Sequence, residues 1–596
     1  MPSYQAPLRD MQFVLWQLLQ AEQHYQSLNF SDASPEMVDA ILAEAGRFAS
    51  EVLSPINAEG DKGCRFEEGQ VFTPAGFKEA YQQWVEMGWP SLAAPTELGG
   101  QGMPESIAHL VSEMAGGANW AWAMYPGLSH GAINTLEQHG SEEQQRLYLQ
   151  PLISGQWTGT MCLTEPHCGS DLGLLRTKAE PQADGSFAIT GSKIYISAGE
   201  HDLTENIVHI VLARLPDAPK GTKGISLFVV PKMLIDEQGQ IKAANQVRCG
   251  SIEHKMGIHG NATAVLNFDG AKGWLIGPPN KGLNCMFTFM NFARIGTAIQ
   301  GVAATELSFQ GSLAYAKERL AMRSLKGAQF PKLAADPIIV HPDVRRMLFT
   351  QKAVAEGGRA LLAWASQQVD LVRYAKDGRA KEADQLLGFV TPIAKAFLTE
   401  LALETTNYGV QIHGGHGYVK DYGMEQIVRD TRISTIYEGT TAIQSLDLLG
   451  RKVLASQGRL LQQVLQHFAP WVEPYQDDYL LQEFYQPLSK TLQAWQGLTQ
   501  SLMMRAMMDK DEVGGAAVDY LMYSGYALLS IFWLRTAALS YQALADGSAE
   551  PGFYEAKIKT ARFWFQRMLP RAQMHAKALQ SPVDTLTSLD ADWFRF

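Results

Sequence analysis

Apolar residues recur every three and four positions over most of the chain, and the pattern switches once to a strand-like period and back. Val38, Ile41, Leu42, Ala45 and Phe48, then Phe77, Tyr81, Trp84 and Val85, mark helices between residue 36 and about 155. The Gly-rich stretch Leu98-Gly99-Gly100-Gln101-Gly102 breaks them with a loop. From Thr158 to about Leu275 the runs are β-branched or aromatic: Phe187-Ala188-Ile189, Ile194-Tyr195-Ile196, Ile207 to Leu212 and Ile225 to Val230. Turn residues such as Asp184-Gly185 and Lys220-Gly221-Thr222 separate them. The helical period returns from about Lys281 to Leu449, with long runs at Gly301–Arg319 and Val344–Tyr374. Beyond Arg451, Leu488, Leu492, Trp495, Leu498 and Leu502 form one more helical stripe. The pattern predicts a mainly α chain with an inserted β domain. Its parts are an N-terminal extension (1–35), a helical domain (36–156), a small β-barrel or sandwich (157–278), a helical bundle (279–452) and a C-terminal helical domain (453–596).

Composition narrows the function classes. Lys plus Arg number 50 against 61 Asp plus Glu, a net charge of −11, whereas generic nucleic-acid binders are usually basic. The five cysteines (Cys64, Cys162, Cys168, Cys249, Cys285) form no CxxC pair, so neither a zinc knuckle nor a disulfide framework is indicated and a reducing compartment fits. The start, MPSYQAPLRDMQFVLWQLL, lacks the basic n-region and cleavage site of a signal peptide. The longest uncharged apolar stretch, between Asp519 and Arg535, is shorter than the roughly 20 residues of a membrane span, so a soluble protein is expected.

No GxGxxG after a strand and no GxxxxGK[ST] is present. Three other segments carry chemistry. Met161-Cys162-Leu163-Thr164-Glu165-Pro166-His167-Cys168-Gly169-Ser170-Asp171 gathers hydroxyls, a rigid Pro and a Gly in one loop, suited to a flat polar heterocycle or a pyrophosphate. Taken alone, it fits an ordinary β-entry loop somewhat better. Gln411-Ile412-His413-Gly414-Gly415-His416-Gly417-Tyr418 allows close backbone approach to a ligand; its two histidines lack a third metal ligand nearby, and no metal is expected. Arg429 to Thr441 contains Ile436-Tyr437-Glu438-Gly439-Thr440, where Glu438 stands at a break between helices. A carboxylate there can point into a pocket, though for an isolated Tyr-Glu-Gly triplet a solvated loop is the favoured reading.

Their order changes the reading. LTEPxxGSD, a Gly-x-Lys-x-x-Ile-Ser about 20 residues later, QxxGGxGY and IYEGTxxIQ together resemble the acyl-CoA dehydrogenase family over roughly residues 36–450. The whole chain looks most like the enlarged bacterial subgroup that includes 3-methylmercaptopropionyl-CoA dehydrogenases. The resemblance implies FAD as cofactor, an acyl-CoA substrate, trans-2-enoyl-CoA as product and electron-transfer flavoprotein as acceptor.

It also implies roles residue by residue. Met161, Leu163, Thr164, Gly169 and Ser170 would line the flavin, Thr164 and Ser170 through their hydroxyls. Tyr195-Ile196-Ser197 takes the place of the family's Trp-Ile-Thr beside the flavin, with Ser197 able to bond N5. Arg319 would reach the pyrophosphate from a partner subunit, with Gln411, Gly414 and Gly415 near the adenosine; Thr440 and Gln444 would act in cis. A site so divided implies a homodimer. Ser170, Asn291, Arg294 and Gly439 fall on the substrate side, Asn291 replacing the usual Asp, and His416 replaces a common Asn. Some members carry the base just before the residue matching Arg294; here that is Ala293, which leaves Glu438 as the catalytic base.

Two alternatives share the fold: an oxidase passing electrons to oxygen, and a flavin-bearing relative that binds DNA in alkylation response. The second needs a basic C-terminal surface. The segment Phe553–Leu579 carries Lys557, Lys559, Arg562, Arg567, Arg571 and Lys577, and is expected to pack on the body with its basic side outermost. That side would be available for anionic lipid or a partner protein rather than nucleic acid. The expected location is the bacterial cytoplasm, with the inner-membrane surface as a peripheral contact.

Overall fold

The sheet at the centre of the N-terminal half explains the continuous β runs. A computed structural model describes every residue, Met1–Phe596. Its seven-stranded sheet runs Trp157–Cys162, Asn206–Ala213, Ser226–Pro231, Thr263–Ile276, Phe187–Ser197 and Lys178–Pro181, with Val247–Ile252 paired to Thr263–Ile276. Trp157–Cys162 and Asn206–Ala213 pair in parallel; the other neighbours are antiparallel. Successive strand residues point to opposite faces. Val208, Ile210 and Leu212 join one core and Val211 and Ala213 another, so both faces of this strand are covered and no polar alternation survives. Helix Trp120–His139 lies against Trp157–Cys162 at Gly159, where a Cβ would stand 2.5 Å from that of Ala132. Helices Pro35–Phe48, Phe77–Glu86, Glu105–Ala118 and Glu142–Ile153 fall in the region where apolar residues recur at three and four. A short hairpin, Arg65–Glu67 with Gln70–Phe72, was not foreshadowed by that period.

By packing, residues 3–6 and 40–296 form one compact unit, and residues 7–39 and 297–596 the other. The second unit is built on helices Pro342–Tyr374 and Gly378–His413, together with the part of Gly282–Glu318 beyond Gly296. The C-terminal segment packs into this unit. Leu488, Trp495, Leu498 and Leu502 of helix Gln482–Met508 are buried, as are Ile531 to Leu534 of helix Asp511–Ala545. Phe389 meets Trp495 at 6.1 Å between ring centroids, and Phe397 meets Tyr526 at 4.9 Å. Gly525 lets Asp511–Ala545 approach, since a Cβ there would stand 2.2 Å from the Phe397 ring. Each large apolar side chain buried this way contributes about 1.5–3 kcal/mol.

Two expectations need correction. The apolar stretch between Asp519 and Arg535 belongs to a 35-residue helix, long and apolar enough to cross a membrane. Most of it is buried against other helices of its unit, so its hydrophobicity is that of a core helix. The segment from Phe553 is not one helix with a basic outer face. It runs as Pro551–Phe563, widens into a π-helical turn through Trp564–Met568, and restarts after Pro570 as Arg571–Ala578. Lys557 is buried, bridging Asp10 and Glu356; Arg359, also buried, binds Asp10 and, at 2.8 Å, Glu306. Arg562 pairs with Glu483 and Arg571 with Glu404, each at 2.6 Å. Only Lys559, Arg567 and Lys577 remain exposed, and Lys559 pairs with Glu555. The cations were read as a surface stripe because their acidic partners lie up to 547 residues away in sequence.

Candidate active site

In the first unit, the loop after Trp157–Cys162 is organised from inside by Glu165. This carboxylate, 3% exposed, accepts hydrogen bonds from the amides of Arg176 (2.7 Å) and Thr177 (3.0 Å), the Thr177 hydroxyl (2.6 Å) and the Lys193 ammonium (2.9 Å). Lys193 is itself fully buried and also donates to the Leu163 carbonyl at 3.0 Å. Burial alone would raise the Glu165 pKa, but the Lys193 charge and these donors outweigh it and hold it near 2. The Glu of LTEPxxGSD and the Lys of Gly-x-Lys are thus one buried ion pair, and the two motifs are two halves of one structure. Thr164 is tied in by its carbonyl, which accepts from the Ile194 amide at 2.9 Å.

That bond lies beside a bulge. Between Lys193 and Ile196 the strand carries one residue more than its partner, which advances from Leu266 to Ala264. Tyr195 absorbs the excess with φ +59° and is 61% exposed, while Ile196 is buried. A bulge re-aims a side chain, and a bulky residue at positive φ is an uncommon, locally costly conformation. Ser197 is half-buried next to it; in the loop, Met161, Leu163 and Thr164 are half-buried, and Gly169 and Ser170 exposed. Further along the same unit, Arg294 is buried and its Nη1 lies 3.4 Å from Asn291 Oδ1. Phe292 beside them contacts the rings of His109 (5.7 Å) and His130 (5.8 Å). Burial, with the neighbouring His130, pushes His109 down to about 4.

In the second unit, Arg319 and the Gly414-Gly415 turn are joined through Tyr315. Tyr315 lies one helical turn before Arg319, whose amide donates to its carbonyl at 2.8 Å. Its ring stacks on His413 at 4.2 Å, its hydroxyl lies 2.9 Å from His416 Nδ1, and His416 stacks on Tyr422 at 4.5 Å. The His416 that stands where Asn is common is therefore a packing element of the turn. Arg319, Gln411, Gly414 and Gly415 are exposed on it, and no atom lies within 4 Å of where a Cβ would stand at either glycine.

Glu438 occupies a turn gripped at each residue. The Tyr437 hydroxyl donates to Gln300 Oε1 (2.5 Å), the Glu438 carbonyl accepts from Gln444 Nε2 (2.9 Å), and the Gly439 carbonyl accepts from Lys395 Nζ (2.8 Å). Thr440 caps helix Thr441–Leu446 by accepting from the Ile443 amide (3.3 Å), and the Thr441 hydroxyl donates to Glu400 (2.5 Å). Glu438 has φ +55° and Gly439 φ +87°. A left-handed backbone costs a non-glycine residue about 1–2 kcal/mol, and such strain persists where the surroundings over-determine it. Sequence reasoning missed Lys395 and the partnership of Lys193 with Glu165. The signal for Lys395 was a lone lysine in the run Phe389 to Leu398, which is otherwise uncharged and wholly buried.

Glu165, His167 and Cys168 bring three ligand-type atoms within 4.8 Å of one another. Glu165 is already saturated, and His167 Nε2 is bonded to the Leu174 carbonyl at 2.9 Å, so the trio is held by the protein's own bonds.

Comparison with known proteins fits this arrangement. Family models match in succession: acyl-CoA dehydrogenase N-terminal domain at residues 35–156, middle domain at 160–271 and C-terminal domain at 280–454, then an acetyl-CoA dehydrogenase C-terminal-like domain at 460–590. A 3-methylmercaptopropionyl-CoA dehydrogenase of Ruegeria pomeroyi is 41% identical over 98% of this chain and 99% of its own. A broad-specificity linear acyl-CoA dehydrogenase of Mycobacterium tuberculosis is 34% identical over 99% of both. Among solved structures, Caenorhabditis elegans ACDH-11 in complex with C11-CoA has the same fold (TM-score 0.75, 19% identity, 99% of this chain and 96% of that one). The chain belongs to the acyl-CoA dehydrogenase family. It is an FAD-dependent oxidoreductase acting on acyl-CoA thioesters.

The residues present suit FAD. The first unit offers the hydroxyls of Thr164, Ser170 and Ser197 and the outward Tyr195 ring. The second offers the exposed Arg319 guanidinium, the uncrowded Gly414-Gly415 backbone, and Gln444 Oε1, a buried acceptor with no partner in the protein.

Proposed function

We propose that this enzyme desaturates a short acyl-CoA, including one with a thioether in the chain, with Glu438 as the base and electron-transfer flavoprotein as the electron acceptor. The observation that carries the assignment of the base is the left-handed, fully gripped turn at Glu438. It gives a carboxylate a fixed point of departure, which proton abstraction at a weakly acidic α-carbon requires. FAD, when bound, supplies the acceptor for the hydride that leaves the β-carbon. The chain's own residues hold the rest. Glu438 takes the α-proton, and backbone N–H groups of the turn support the negative charge that develops on the thioester oxygen. Exclusion of water by the acyl chain strengthens the carboxylate as a base. Arg294 with Asn291 contributes a polar, cationic contact on the substrate side.

Relatives named for 3-methylmercaptopropionyl-CoA and for butyryl-CoA support a short acyl group. The exposed cluster of Arg319, Gln411, Gly414 and Gly415 supports a second copy as the other half of each cofactor site. Five free cysteines support a cytoplasmic location, and the exposed Lys559, Arg567 and Lys577 are what remains for a membrane surface.

The test is anaerobic bleaching of the flavin by a series from C4 to C16 acyl-CoA together with 3-methylmercaptopropionyl-CoA. The fastest bleaching is expected for the C4 and thioether substrates, with reoxidation by electron-transfer flavoprotein outpacing that by air. A maximum at C12 or longer, or stoichiometric peroxide, would replace this reading.

A further inference from the structure

We propose that Lys395 is a positioning residue for catalysis: its ammonium clamps the carbonyl of Gly439 and thereby holds Glu438 at its working angle. The proposal rests on the reading of Glu438 as the base. Lys395 is fully buried on helix Gly378–His413, in a run whose other members from Phe389 to Leu398 are uncharged and buried. A buried cation is costly unless an acceptor compensates it. One acceptor is the Gly439 carbonyl of the catalytic turn, at 2.8 Å.

The placement has a mechanical consequence. A peptide group is planar, so fixing its carbonyl fixes the whole plane. Gln444 fixes the plane that follows the Glu438 Cα, and Lys395 fixes the next one. Between them they set the backbone angles of Gly439 and hold the peptide plane on the C-terminal side of Glu438; both residues are left-handed. Glu400 adds a second grip from the same helix through Thr441. Without Lys395, the Gly439–Thr440 peptide is released and Glu438 can relax toward an ordinary backbone angle. A displacement of about 1 Å at a reacting group costs on the order of a hundredfold in rate.

The experiment compares Lys395→Met, Lys395→Arg and Glu438→Gln as FAD-loaded proteins. For Lys395→Met we expect FAD content and KM within about threefold of the parent, and single-turnover bleaching slowed about 10- to 100-fold. Hydrogen–deuterium exchange should accelerate in a peptide spanning residues 436–446 and stay unchanged in one spanning 187–197. Lys395→Arg, which keeps the charge and a donor, should recover part of the rate. If Lys395→Met does not fold, Lys395→Gln keeps a neutral donor and is expected to bleach at an intermediate rate. Parent-like bleaching and exchange in the Met variant, or in the Gln variant where only that one folds, overturns the clamp. So does a loss of FAD and a rise in KM that fully account for the lost rate. Normal bleaching by Glu438→Gln overturns the assignment of the base instead, so the two failures are told apart.

Discussion

Two motif glutamates, Glu165 and Glu438, are held in different ways, and the contrast bears on which of them is proposed as the base. Glu165 has its side chain fixed. Three neutral donors and a buried lysine saturate the carboxylate, and its affinity for a proton is driven far down. A group in that condition is no use as a base. At Glu438 the backbone is fixed, with its own carbonyl and that of Gly439 bound to Gln444 and Lys395. In both places a lysine with no exposed surface is the anchor, Lys193 for a carboxylate and Lys395 for a carbonyl. On the reading proposed above, the glutamate saturated by donors is structural and the one on the gripped turn is the base.

The comparison breaks most visibly at Glu438. Glu438→Gln should leave a folded, FAD-bearing protein that binds acyl-CoA yet bleaches at least about a thousand times more slowly, near the upper end of what a general base contributes. Bleaching within tenfold of the parent would place the base elsewhere. Glu165→Gln should do the reverse. It leaves Lys193 as an uncompensated buried charge, and breaking such a pair from one side costs about 3–5 kcal/mol. Urea unfolding should show that loss, and the double variant Glu165→Met/Lys193→Met should regain most of it. If the double variant is no more stable than the single one, the pair is not the unit described.

Arg319→Ala tests the second unit away from either glutamate. Loss of a charge-assisted bond to the pyrophosphate should weaken FAD retention by about 1.5–3 kcal/mol, leaving the bleaching rate of the loaded fraction unchanged. In mixed dimers, an Arg319 variant paired with a Glu438 variant should keep one intact site per dimer. Heterodimers in which every site with an intact Glu438 retains FAD as weakly as the Arg319→Ala homodimer would put Arg319 and Glu438 in the same site of one subunit.

The sequence revealed the elements whose pattern is local. The three-and-four period of residues 344–374 is a helix, and the β-branched runs at 207–212 and 226–230 are strands buried on both faces. The motifs were legible because their order along the chain survives folding. What stayed hidden depends on partners distant in sequence. Lys193 meets Glu165 across 28 residues and Lys395 meets Gly439 across 44. No periodicity marks such pairs, and a lysine looks the same whether it ends in water or on a carbonyl. The cations after Phe553 were misread for the same reason, since the partners of Lys557 sit on helices at the opposite end of the chain and in its middle.

The most gradual effect expected is a pH dependence that divides the sheet unit's stability between its histidines and Glu165. His201 and His209 are buried there, His201 Nε2 lying 2.9 Å from the Thr158 hydroxyl and His209 Nδ1 2.7 Å from that of Thr160. Burial, reinforced by the nearby Lys232 charge, pushes both down to about 3. Each is neutral in the fold but takes up a proton on unfolding below its ordinary value near 6.5. Their contribution is therefore complete above pH 6.5 and is lost as pH falls toward 3, about 2 kcal/mol per histidine by pH 5. Glu165 acts lower, its contribution being complete above its ordinary value of 4.5 and lost as pH falls toward 2. Urea midpoints measured from pH 7 to pH 5 should fall, and His209→Gln should flatten that slope by about half. Glu165→Gln should lower the midpoints across the range without changing the slope, because Glu165 stays ionised in the fold throughout that window. A His209→Gln protein with the parent's slope would mean that His209 is protonated in the fold, and its hydrogen bond to Thr160 would have to be redrawn with the ring nitrogen as donor.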